Sequence, residues 1–242
     1  MSAIIVLLLA GGVPYYLLLE KFTPLKSKHI FLLSGLLLLG AVVSSLYIPS
    51  GHTTSIVVIA LISAIFSIYR ATKTTNFYKL GYYLVFVNAP FFLLFEDQGA
   101  EYSLSLLLSL IGVFLTAQFY EKNYGSANYH HITGITLATP CIGTYLAFYL
   151  IALALYPPFP NSIFFLSYIF ESEPSVLWYI VVSTIFFGNF LLAMRVMRKT
   201  LFGRENPTIH YVHMTVKEKI IHSIVIVLLL TLSVLGLKEM LL

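Results

Sequence analysis

Charge is what this sequence has least of. Only 10% of its 242 residues are Asp, Glu, Lys or Arg, against roughly 25% in an ordinary soluble domain, and that shortfall excludes a water-facing globular surface. One cysteine, Cys141, excludes an intrachain disulfide and a cysteine metal cluster. No glycine-rich phosphate loop, nucleophile elbow or zinc-ligand spacing occurs. No soluble repeat period and no low-complexity tract is visible. Nor is there a polar segment long enough to form a soluble catalytic domain, so residues 1–242 read as a single membrane-embedded domain.

What is there is apolar. Hydrophobic residues make up 59% of the chain, and the runs 3–19, 29–48, 54–69, 79–95, 102–120, 140–156, 175–194 and 220–237 are each long enough to span a bilayer. The expectation is an all-α, polytopic transmembrane bundle of about eight spans. The first run has no basic residue before it and no small-residue cleavage site after it, so it reads as a retained helix, not a signal peptide. Pro157, Pro158 and Pro160 interrupt the chain after the sixth run, because proline removes a backbone donor and clashes with the preceding turn. Residues 162–170 then resume as a half-helix of roughly 14 Å, too short for a hydrocarbon core of about 30 Å. A broken or re-entrant element is therefore expected at Pro157, Pro158, Phe159, Pro160 and Asn161, with Asn161 capping the half-helix.

The net charge of +4 and pI near 9.0 do not point to nucleic acid, because the basic residues lie in short loops between apolar runs. Lys21, Lys26 and Lys28 follow the first run and Arg70, Lys73 and Lys79 the third, whereas Glu96, Asp97 and Glu101 follow the fourth. The positive-inside bias places the Lys/Arg loops on the cytoplasmic or matrix side and both termini outside. The Pro-Pro-Phe-Pro turn, Glu171 and Glu173 then fall outside. Arg195, Arg198, Lys199 and Arg204 form an inner basic anchor, where cations suit the end of a helix and anionic headgroups.

Three consecutive stretches carry a likeness. YGSANYHHITGITLATP, from Tyr124 to Pro140, leads through a glycine into a helix with proline near its start. LALYPPFPNSIFFLSYIF, from Leu153 to Phe170, places a Pro-Pro-Phe break after an apolar helix. LAMRVMRKTLFG and TVKEKIIHSIVIVLLLTLSVLG, between Leu192 and Gly236, give a basic Leu-Phe-Gly exit, a short loop with a glutamate and a final apolar helix. In order and spacing these resemble the carboxyl-terminal part of the antiporter-like membrane subunits of respiratory complex I, membrane-bound hydrogenases and multisubunit cation/proton antiporters. The resemblance covers roughly half the chain.

That resemblance implies a place among other membrane subunits of an energy-coupling complex, in a bacterial or archaeal cytoplasmic membrane or, alternatively, a mitochondrial inner membrane. It implies no cofactor. Family members are about twice as long and carry buried lysine, glutamate and histidine residues for proton movement. Here Phe165 stands near a position where the family has an acidic residue or lysine, and the fifth run offers only Gln118 and polar groups at its ends. An ionisable group at the bilayer centre costs at least about 2.5 kcal/mol and persists where a relay needs it. Its replacement by Phe and Leu makes an accessory or structural subunit the leading expectation, with an ion-conducting split half-subunit that moves H+ or Na+ with a partner as the alternative. The ion-path candidates are Lys79, Asn88, Gln118, His130 and His131. Asn88 is placed to satisfy the carbonyl freed by Pro90 or to line a polar track. His130 and His131, with His210, His213 and His222, lack the repeated boxes of histidine-iron enzymes, and no metal site is assigned.

Overall fold

In the computed structural model, the described residues are 2–45, 54–131, 133–134, 139–171, 175–204 and 210–241. Among them ten helices follow one another: α1 (Ser2–Leu9), α2 (Tyr16–Phe22), α3 (Ser27–Ser45), α4 (Thr54–Lys73), α5 (Phe77–Phe95), α6 (Gly99–Tyr124), α7 (Pro140–Leu153), α8 (Pro160–Glu171), α9 (Val176–Thr200) and α10 (Val216–Leu241). Six of these, α3, α4, α5, α6, α9 and α10, are long and apolar enough to cross a membrane, where the sequence alone suggests eight. The far end of the second expected span and the loop at 51–53 lie outside the described residues.

The two missing spans are discontinuous. The run 3–19 divides at Gly11, whose φ of 82° is open to glycine at little cost, and at Pro14. α1 packs with Ala41, Val42, Val57 and Ala60, while α2 lies at the other end, where Tyr16 meets Tyr82, Tyr83 and Phe86. Gly11 itself abuts the Phe86 ring, halfway along α5. The sixth expected span ends early, at Leu153, because Pro157 and Pro158 cannot donate to the carbonyls of Leu153 and Ala154.

α5 and α6 are joined without a non-helical residue, yet the chain reverses between them. Tyr78 Oη donates to Glu121 at 2.6 Å and the rings of Phe91 and Tyr102 are 4.5 Å apart, so the arms lie antiparallel along their whole length. Gly99 permits the turn, since a Cβ there would sit 2.8 Å from the Phe92 carbonyl oxygen. This hairpin is the centre of the bundle: 89% of the α5 window is buried, against 28% for α10. α3 and α4 make the most extensive contacts with it, and α7, α8, α9 and α10 pack on it as well.

Side-chain caps fix where several helices begin. Asn76 Oδ1 accepts from the amides of Tyr78 and Lys79, and Ser175 Oγ accepts from the amide of Trp178. Thr215 and Glu218 bond reciprocally through side chain and amide, a capping box that starts α10. Gly125, at φ 71°, closes α6.

Helices also approach closely at Gly112, where an added Cβ would lie 2.4 Å from the Tyr149 ring. Tyr149 is buried and its hydroxyl bonds His222 Nδ1 at 2.9 Å, so the ring has little room to withdraw. Gly112→Ala is therefore expected to destabilise the bundle by about 1–3 kcal/mol through overpacking. Thermal unfolding in detergent measures this, and Tyr149→Leu in the same chain is expected to restore part of the loss.

Candidate functional site

The broken crossing of α7 and α8 is where the sequence points first. α7 begins at the basic end of the bundle and Tyr149 reaches Gly112, the middle of α6. The break follows, and α8 then continues toward the opposite end. Asn161 lies by Ser109, Phe165 by Tyr102, and Tyr168 donates to Glu101 near the start of α6. α7 and α8 thus make one interrupted crossing, not a full span followed by a re-entrant dip. Pro157, Pro158, Phe159 and Pro160 sit halfway along the bundle, which corrects their expected place outside.

Backbone donors in the break are satisfied locally. The amides of Leu155, Tyr156 and Phe159 bond Ala152, Ile151 and Tyr156 carbonyls, and Leu155 takes a φ of 60°. Phe159 ends the break as a cap, its carbonyl accepting from the amides of Ser162 and Ile163 and from Ser162 Oγ. Asn161 does not cap α8. It lies inside the first turn, fully buried, with Oδ1 accepting from Ser109 Oγ at 3.3 Å. Tyr156, by contrast, is 47% exposed, and Pro157 and Pro158 are exposed beside it.

A second polar group lies inside the bundle. Asn88 Nδ2 donates to Asn189 Oδ1 at 3.0 Å, Asn189 Nδ2 donates back to Asn88 Oδ1 at 2.7 Å, and Tyr102 Oη donates to Asn88 Oδ1 at 2.6 Å. Asn88 Nδ2 also bonds the Leu84 carbonyl at 2.7 Å. The carbonyl that Pro90 frees is that of Phe86, four residues earlier, so Asn88 does not serve the role expected from the proline. It ties α5 and α6 to α9.

The third group gathers at the basic end around Glu20. Its carboxylate accepts from Arg70 Nη2 at 2.7 Å, from Tyr83 Oη at 2.9 Å and from Tyr82 Oη, with Lys79 Nζ at 3.6 Å. Burial opposes ionisation of Glu20, but the two tyrosine hydroxyls, the Lys79 charge and the Arg70 bond outweigh it and hold the carboxyl below the usual glutamate range. The unfolded chain then binds this proton more readily than the folded one. Its stabilisation is present above the ordinary value of 4.5 and is lost as pH falls through the depressed one. The thermal midpoint is expected to fall on acidification below that value, and Glu20→Gln is expected to flatten that part of the pH profile.

The expected ion-path residues do not join. Lys79 belongs to the Glu20 group, and Asn88 lies nine residues further along α5, about 13 Å away by helical rise. Gln118 lines a narrow cleft with Lys122, Glu218 and His222, between α6 and α10. His130 and His131 are exposed in the turns after α6, their amides bonded to Asn128. Among the anchor residues, Arg195 Nη1 bonds the carbonyls of Ala71 and Thr74, while Arg198, Lys199 and Arg204 line the end of α9 and its exit. Among the described residues no three His, Cys, Asp or Glu side chains converge as metal ligands.

Sequence reasoning missed Glu20, Tyr82, Tyr83 and Asn189. Glu20 was legible as the carboxylate closing the first apolar run; its partners, 50 to 63 residues away, were not. The break in the first run was signalled by Gly11, Gly12 and Pro14 in succession. No family model matches the chain, and no curated protein matches it either.

Proposed function

We propose that this chain is an accessory integral-membrane subunit of a proton- or cation-translocating complex, held among other membrane subunits, and that it does not itself relay protons. The observation that carries the reading is the exposed break halfway along the bundle. Leu153 and Ala154 have proline four residues on, so their carbonyls lack helical donors, and the segment after them shows Tyr156, Pro157 and Pro158 at the surface. In lipid such backbone is tolerated only against protein or a wet cavity. A partner subunit supplies that cover. The absence of a relay is supported by the distribution of charge: every Asp, Glu, Lys and Arg of the described spans lies within about two turns of a helix end.

The ion-conducting alternative has one observation in its favour. The interrupted crossings α1–α2 and α7–α8 run in opposite directions through the bundle, and discontinuous helices frame sites in many transporters. Here the first break meets Phe86 and the second lies by Ser109, neither of which carries a charge. The basic end faces the cytoplasm of a bacterial or archaeal cell, or the matrix, in this reading.

A mild-detergent pull-down from native membrane, with mass spectrometry of what co-purifies, tests the proposal alongside a flux assay of the purified chain in liposomes. Recovery with other membrane subunits and no proton or sodium flux is expected. Recovery alone, or flux by the chain alone, overturns it.

A further inference from the structure

One face of α9 changes character along its length. Phe187, Phe190, Leu191 and Met194 line an open groove whose basic end is closed by Arg195, Arg198 and Lys199, the whole enclosing about 540 Å³. These positions recur at helical spacing, so a single stripe is apolar first and cationic last. From Phe187 to Arg198 the helix rises about 16 Å, close to half of a hydrocarbon core of about 30 Å. The groove is thus one leaflet deep. Phe187 is 65% and Leu191 48% exposed, so among the described residues these two side chains are left largely uncovered.

Among the described residues the cations at its end are not spent on carboxylates. Among the described residues neither Arg198 nor Lys199 makes an ion pair, and the three ion pairs present lie elsewhere, at Glu20 and at Glu218. Arg195 is fixed by the Ala71 and Thr74 carbonyls through Nη1, 2.8 and 3.1 Å away. That bond joins the groove to a neighbouring cleft at the end of α4, lined by Lys73 and Thr74. A guanidinium held by two carbonyls and flanked by two cations that form no ion pair among the described residues, at the depth of the headgroups, complements a phosphate ester.

We infer that this face of α9 is a binding site for an anionic phospholipid of the basic-side leaflet, one acyl chain along Phe187 to Met194 and the phosphate at Arg195, Arg198 and Lys199. The inference rests on the membrane reading, which fails separately if the chain is recovered without membrane.

The test uses the whole chain in detergent, with phosphatidylglycerol, phosphatidylcholine and inorganic phosphate as probes and thermal stability and native mass spectrometry as readouts. Phosphatidylglycerol is expected to bind and to raise the unfolding midpoint; phosphatidylcholine and inorganic phosphate are expected to do so far less. The Arg198→Gln, Lys199→Gln double variant removes two cations that make no ion pair among the described residues. It is expected to weaken phosphatidylglycerol binding about 30-fold, the factor two cations supply beside anionic lipid. Leu191→Trp, which fills the groove and leaves the charges, is expected to weaken it as well. Equal binding by parent and both variants overturns the site. A stabilisation by inorganic phosphate as large as that by lipid overturns the acyl groove. A photoreactive side chain at position 191 that captures polypeptide in native membrane, and not lipid, makes this face a protein interface and overturns the lipid assignment.

Discussion

Glu20→Ala is expected to cost about 3 kcal/mol of stability. The sum has three parts. Tyr82 and Tyr83 are fully or nearly buried and both hydroxyls donate to this carboxylate; losing the shared acceptor costs about 1 kcal/mol for each. The ion pairs with Arg70 and Lys79 add about 1 kcal/mol more, less than a fully buried pair, because those cations are 39% and 37% exposed. Glu20→Gln keeps the shared Oε1 acceptor for both tyrosines but loses the charge and the Arg70 bond at Oε2, and is expected to lose about half as much. Thermal or denaturant unfolding in detergent, read for both variants, checks the ordering as well as the size. The consequence is positional: Glu20 anchors α2 to α4 and α5, so its loss is expected to free the first interrupted crossing while leaving the α5–α6 hairpin folded.

Asn189→Leu is expected to cost about 2 kcal/mol, within the range for interhelical hydrogen bonds in membranes and for stranded buried polar groups. Asn88 then loses both the donor and the acceptor it uses on α9. Tyr102 Oη keeps Asn88 Oδ1, which limits the damage. The double variant Asn88→Leu, Asn189→Leu removes both amides and is expected to be less destabilised than the two single losses added together, since apolar partners of similar volume need no donor. Additive losses in that cycle would show that the amides act separately. The same cycle bears on function: a structural clamp predicts changed stability without changed activity of the assembly.

The class of fold was legible because apolar length and local charge report on single helices, and six of the eight expected spans stand. What the sequence obscured was continuity. The run 3–19 reads as one span because Gly11, Gly12 and Pro14 stand among apolar residues, yet a left-handed glycine and a missing amide together stop the helix. At the second break the prolines named the place but not the depth. Whether Pro157 lies outside or halfway along depends on Asn161 meeting Ser109, a contact across 52 residues. Asn88 shows the same limit: its own helix suggested repair of a proline kink, while the partner that matters, Asn189, is 101 residues away. Long-range pairings of this kind are set by packing between helices, which local propensity does not encode.

The central claim is that a partner subunit covers the exposed break of α7 and α8. The most direct measurement replaces Tyr156 with a benzophenone amino acid, irradiates native membranes and identifies the adduct by mass spectrometry. The account predicts one discrete cross-link to another membrane protein, absent when the same side chain is placed at an exposed position of α10 such as Val227. Adducts to lipid alone at position 156, or the same products at both positions, would contradict it.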